Sequence, residues 1–158
     1  LDFHYDYLII DTAPGISDNV LQLNASAHVC SVVITPDPSS LTDSYALIKI
    51  MNQEYGRNRF SIICNQTKDE ADALMLFNKF NDVVNRFLCI GLDYLGSVTQ
   101  DSMIRKINQN QRLILKQEPT CLAAQQIQNI SAKLASSFKS LDERTGLAQY
   151  WGQVVGLA

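Results

Sequence analysis

The chain has 158 residues, 46% of them apolar and 18% charged, and a net charge of −3. That length gives one domain with a sizeable core, and the acidic balance excludes a protein that grips nucleic acid through a basic face. No apolar run reaches the length of a bilayer span. Cys30, Cys64, Cys89 and Cys121 are far apart and form no CxxC pair, so neither a zinc site nor a redox dithiol is signalled, and a reducing cytoplasm is the expected setting. Three of the four lie in apolar surroundings and read as small buried hydrophobes.

The first element is the stretch "YDYLIIDTAPG", Tyr5 to Gly15. Its apolar run, Tyr7–Ile10, predicts a buried strand that ends on Asp11. A carboxylate closing such a strand can hold Mg²⁺, usually through water, because Mg²⁺ keeps most of its hydration shell. The turn Thr12-Ala13-Pro14-Gly15 is small enough to pass close to a terminal phosphate. A plainer reading stands beside this one: Asp11 caps the turn, or the short helix expected near Ser17 and Asp18. A site of this kind also needs a glycine-rich phosphate loop. None occurs in the sequence and only four residues precede Tyr5, so an upstream part of a larger domain is expected.

Three more apolar runs follow, Val29–Ile34, Phe60–Cys64 and Leu92–Val98. Each is nearly continuous, as in strands buried on both faces of a parallel sheet. Between the first two, Ser40-Leu41-Thr42-Asp43 reads as a capping box, and Tyr45, Ile48, Met51 and Tyr55 recur at helical spacing. Asn65 closes the next strand. Its amide offers a donor and an acceptor and so could read adenine, although an Asn in a turn is the commoner case. Lys68, Asp69, Glu70 and Asp72 read as a solvated helix start. The stripe behind them is Ala73, Leu76, Phe77, Phe80, Val83, Val84 and Phe87. After the last strand, Asp101 is expected to cap a short helix, "DSMIRKIN". A long helix is predicted over 122–141, with Ile127, Ile130, Leu134, Phe138 and Leu141 inward. The domain is expected to cover 1–141, with a tail at 142–158. In that tail Leu147, Tyr150, Trp151 and Val154 make an amphipathic face suited to docking on its own domain or a partner.

Alternating strands and helices predict an α/β fold, a parallel sheet with helices on both faces and right-handed crossovers. Ligands of such folds sit outside the carboxyl ends of the strands. Asp11, Thr35, Asn65 and the loop Ser97-Val98-Thr99 are therefore the residues to inspect. His4 and His28 have no nucleophile at a recognisable spacing.

Together these residues resemble the MinD/ParA class of P-loop ATPases, and within it the flagellar-number regulator branch (FlhG/FleN-like). "YDYLIIDTAPGISDNV" is similar to that family's metal-side strand and switch. "VVITPDPSSLTDSYALIKIMNQEYG" is the longest and most specific likeness. "RFSIICNQTKDEADALMLFNKFNDVVNRFL" and "LDYLGSVTQDSMIRKINQNQRLILKQEP" keep the family's order. The resemblance implies ATP or ADP with Mg²⁺. Asp11 would stand beside the metal, and Thr12, Pro14 and Gly15 would lie in the switch. Asn65, Val98 and Thr99 would line the base pocket, and Ser40 and Asp43 would lie on a partner surface. It implies an ATP-dependent homodimer in the cytoplasm, at the inner membrane or cell pole where it touches membrane peripherally. Implied partners are a signal-recognition-type flagellar GTPase, flagellar switch proteins or a flagellar transcriptional activator, with no direct nucleic acid. The chain departs from the family at Thr99, where a proline is usual, and lacks the lysine-bearing phosphate loop, so it is expected to be inactive by itself. The alternatives are a nucleotide-free interaction module on the same fold and a ParA-like partitioning ATPase.

Overall fold

The computed structural model describes residues 6–142, with all side chains in that span but those of residues 108 and 138–142. The amphipathic tail face, His4, and the expected inward positions Phe138 and Leu141 lie outside what it describes. Helix α1 (Asp18–Ser26) comes first, then β1 (Ser31–Ile34), α2 (Pro38–Tyr55), β2 (Phe60–Thr67), α3 (Glu70–Leu88) and β3 (Leu92–Thr99). The short α4 (Ser102–Gln109) and α5 (Ile114–Gln117) lead into α6 (Leu122–Asp142). The three strands form one parallel sheet in the order β1-β2-β3. That is the α/β architecture expected from the alternation of elements.

Local chemistry sets the helix ends. Asp37, not the Ser40 box, caps α2: its Oδ1 accepts from the Ser39 N–H at 2.9 Å, and Pro38 takes the first helical position, where a missing N–H costs nothing. Ser40 instead sits inside the helix, its Oγ accepting from the Thr35 N–H. Asp69 caps α3 through the Asp72 N–H at 2.8 Å, and Asp72 reaches back to the Lys68 N–H at 3.0 Å. Asp101 caps α4 as expected, accepting from the Met103 N–H at 2.7 Å.

One core lies between the sheet and α2 and α3. Val32, Ile34, Phe60, Ile62, Cys64 and Leu92 meet Ile48, Met51, Ala73, Phe80 and Val84 there. Two right-handed crossovers in the same direction put both helices on one face of the sheet. Helix α6 packs on β3, with Ile130 against Gly96. Its buried Ala123, Ala124 and Ile130 stand outside the first core. A register shift between Ile62/Ile63 leaves Leu95 as the extra residue of a bulge in β3.

Three expectations are corrected. Tyr7–Ile10 is no strand and is not buried; these residues lie exposed, Ile9 at 90%. A strand exists by pairing, and this run has no sheet neighbour among the described residues. β1 is not covered on both faces. Val32 and Ile34 are buried, while Ser31 and Val33 face outward, because no helix among the described residues covers that end of the second face. Val83 and Phe87, assigned to the inner stripe of α3, are exposed, and the buried line runs through Ala73, Phe80 and Val84.

Candidate functional site

The carboxyl ends of β2 and β3 frame a cleft of about 820 Å³. Its lining includes Asn65, Gln66, Thr99, Gln100, Asp101 and Arg105. Parallel pairing sets Asn65 opposite Val98 and Thr67 opposite Thr99, so the ends of the two strands stand side by side. The Gln100 N–H donates to the Thr67 carbonyl at 2.8 Å and closes the floor. Of the residues inferred to be nucleotide-binding, the structure thus brings together Asn65, Val98 and Thr99, and two of them line the cleft directly.

Thr99 is held from the far side. Its N–H and its hydroxyl both donate to Oε1 of Gln126 on α6, at 3.0 and 3.2 Å. A proline at this position could not make the first of these bonds, because it has no N–H. The departure from the family pattern therefore has a structural partner, Gln126, which the sequence did not signal.

A second clamp lies one turn away. Glu70, at the start of α3, accepts from the Tyr94 hydroxyl at 2.9 Å and from the Ser97 hydroxyl at 2.5 Å. It joins α3, which follows the Asn65 turn, to the strand that carries Val98 and Thr99. Sequence reasoning read Glu70 as part of a solvated helix start. Only the spatial approach of β3, set by the bulge, gives its carboxylate this work. The Tyr94 ring also lies 5.1 Å from that of Phe77 and 5.8 Å from Lys133 Nζ. Burial first, and then the hydrogen bond to Glu70, raise the Tyr94 hydroxyl pKa. Burial pushes the neighbouring Cys64 thiol up to about 12, with the Glu70 charge adding to it.

The other half of the inferred site is elsewhere. Asp11, Pro14 and Gly15 are exposed, Thr12 is half-buried, and none of them lines the cleft. Gly15 has φ +107°, a backbone that favours glycine in this turn. Asp11 makes no cap to α1, whose Ser17 position also forms no side-chain cap. No group of three His, Cys, Asp or Glu side chains among the described residues could hold a metal. Mg²⁺ carried by phosphates and its own waters asks for only one carboxylate, and Asp11 suits that role. The cleft is lined by polar side chains and lies at the carboxyl ends of the strands, where ligands of such folds sit. Ser40 is half-buried at the head of α2, and Asp43 is exposed nearby. Cys30 and Cys64 are buried, whereas Cys89 is exposed and Cys121 half-buried, so two rather than three thiols behave as core residues. No helix among the described residues is long and apolar enough to cross a membrane.

Known proteins are similar to this chain. The ParA family model, described as the NUBPL iron-transfer P-loop NTPase, matches residues 3–135. The chain is 34% identical over 131 residues to the antiactivator FleN of Pseudomonas aeruginosa, covering 83% of the chain and 47% of that protein. It is 30% identical over 137 residues to the flagellum site-determining protein YlxH of Helicobacter pylori, covering 85% of the chain and 46% of that protein. The chain spans about half the length of these curated relatives.

Proposed function

The chain belongs to the ParA family of P-loop NTPases, and from that premise we propose that it is part of a MinD-like, ATP-binding switch that regulates flagellar number and placement. The observation that carries this reading is a likeness running through more than four-fifths of the chain, to an antiactivator and to a flagellum site-determining protein. In this reading Asn65, Val98 and Thr99 receive the adenine of ATP or ADP. Asp11 stands by the Mg²⁺, and Thr12, Pro14 and Gly15 sense the terminal phosphate. Catalysis of phosphoryl transfer is mostly positioning and charge stabilisation, so the phosphate loop that these residues lack would have to supply the remaining contacts. Closure of the switch would drive homodimerisation. It would also present the surface around Ser40 and Asp43 to a flagellar GTPase, a switch protein or a transcriptional activator, in the cytoplasm or at the membrane.

The exposure of Asp11, Ala13, Pro14 and Gly15, away from the cleft, favours a second reading for this chain by itself: a nucleotide-free partner-interaction module. One experiment separates them. Deleting the gene from the organism that encodes it is expected to change the number or position of flagella counted by electron microscopy. The wild-type gene restores the pattern and Asp11→Ala does not. Restoration by Asp11→Ala would support the nucleotide-free module, and unaltered flagella after deletion would overturn both.

A further inference from the structure

Three residues of α6 follow β3 back from its carboxyl end. Gln126 meets Thr99, Ile130 lies against Gly96, and Lys133 stands over the Tyr94 ring. Steps of four and three residues keep them on one side of a helix. The first of the three reaches a residue that lines the cleft, while Gln126 itself lies behind Thr99, outside the lining.

The backbone explains why a side chain is needed there. The bond that ties the end of β3 to β2 comes from the Gln100 N–H, which donates to the Thr67 carbonyl. The Thr99 N–H is turned the other way, to the outer side of β3, where among the described residues no further strand pairs. Thr99 is buried, and a buried N–H needs an acceptor. Gln126 Oε1 supplies it and also takes the proton of the Thr99 hydroxyl. An amide oxygen only accepts, so both protons of Thr99 are directed to α6, and the hydroxyl meets a ligand as an acceptor. The proline usual at this position in the family likewise offers no N–H, and its ring fixes φ. Gln126 thus gives a threonine two properties of that proline: no donor toward the ligand and a restrained backbone.

We propose that Gln126 is a positioning residue for the cleft: from α6 it holds the Thr99 backbone and hydroxyl in the arrangement that receives a nucleotide base. The proposal rests on the reading of the cleft as a base site. Without this hold Thr99 samples other arrangements, and the affinity of a site falls with the fraction of molecules in its competent arrangement.

The test is titration of the 158-residue chain with adenosine, a neutral probe that carries the base without phosphates, followed by ¹H–¹⁵N chemical shifts. The wild type is expected to shift at Asn65, Thr99 and the Gln126 side-chain amide. Gln126→Met keeps the length and loses the acceptor, and should weaken adenosine about three- to tenfold, the scale of one hydrogen bond. Gln126→Glu keeps an acceptor oxygen and should stay within about twofold of wild type. A residue that merely fastens α6 to β3 would matter equally whatever stands at position 99. The deciding comparison is therefore made in the Thr99→Pro background, which has no N–H or hydroxyl to hold. There Gln126→Met should weaken adenosine by less than about twofold, a coupling that a double-mutant cycle measures. Losses of the same size in both backgrounds would overturn the proposal and leave the base site standing, as would full affinity in Gln126→Met alone. A second measurement needs no variant. In the wild type the Thr99 amide proton should exchange with deuterium more slowly once adenosine is bound, because the bound arrangement keeps that N–H on Gln126. An unchanged rate would overturn the proposal. If adenosine shifts no cleft residue in the wild type, the base-site reading falls and the proposal with it.

Discussion

A single carboxylate, Glu70, organises the chemistry of its surroundings. It receives two hydroxyl hydrogen bonds, from Tyr94 and Ser97, and its charge adds to the burial that keeps the Cys64 thiol protonated. Thiolates react and neutral thiols do not. Iodoacetamide at about pH 8.5 is therefore expected to label Cys89, which is exposed, and to spare Cys64 until the chain unfolds. Peptide mass spectrometry reads the difference, and native-state labelling of Cys64 would contradict the burial. The same shift makes stability depend on pH, with a definite sign. In the folded chain Cys64 loses its proton at about 12 instead of the ordinary 9.0. The unfolded chain thus releases a proton first, and alkali favours unfolding. The contribution of Cys64 is fully present below pH 9 and is lost as pH rises through the folded value. Tyr94 is raised as well, by burial and by Glu70, and acts in the same direction. Urea midpoints should fall above about pH 9, and Cys64→Ala should flatten that slope without abolishing it, because Tyr94 remains. An unchanged slope would remove Cys64 as its source.

At the level of elements, β3 and α6 approach closely at Gly96. A methyl group built on Gly96 would lie 2.9 Å from Ile130 Cγ1, and the glycine has φ +154°. Gly96→Ala should cost about 1–3 kcal/mol in urea unfolding, the usual range for overpacking. Ile130→Ala removes Cγ1, the atom in the way, and by itself should cost about 2–5 kcal/mol, the usual range for truncating a buried isoleucine. The double variant should recover part of the Gly96→Ala loss, which a double-mutant cycle measures as a favourable coupling. Strict additivity would mean that the contact is not the cause. This approach also shows which features were legible in the sequence. Helical spacing identified Ile48, Met51, Ala73, Phe80 and Val84, because a local period of 3.6 survives into the packed structure. Asp101 was legible as a cap for the same local reason. Val83 and Phe87 misled because hydrophobicity does not say where the covering neighbour ends. Glu70 and Gln126 could not be found, since their roles depend on the bulge in β3 and on the docking of α6, which are non-local. Asn65 and Thr99 were found through position, being at the ends of apolar runs that had to be parallel strands.

The whole molecule presents an imbalance: its sheet is well covered over β2 and β3 and bare toward β1. Among the described residues β1 is an outer strand whose backbone pairs only with β2. Val33 is 51% exposed on the uncovered face, and the apolar run Tyr7–Ile10 is exposed as well. An open strand edge beside exposed apolar side chains is a template for pairing with another chain. Net charge offers little opposition, at −3 for 158 residues. The chain is expected to self-associate as its concentration rises, through this side of the sheet rather than through the exposed apolar positions of α3. Sedimentation velocity over a concentration series would show the weight-average coefficient climbing. Lysine at an outer strand blocks edge-to-edge pairing, so Val33→Lys should return the chain to monomer. The Val33 side chain already meets solvent, and the unfolding free energy should therefore hold to within about 0.5 kcal/mol, as for surface substitutions generally. Phe87→Lys on α3 is the control: it removes an exposed aromatic ring on a helix. If Phe87→Lys disperses the chain and Val33→Lys does not, association runs through the helix face and the open edge is harmless. If Val33→Lys alone disperses it, the bare side of the sheet is the adhesive surface.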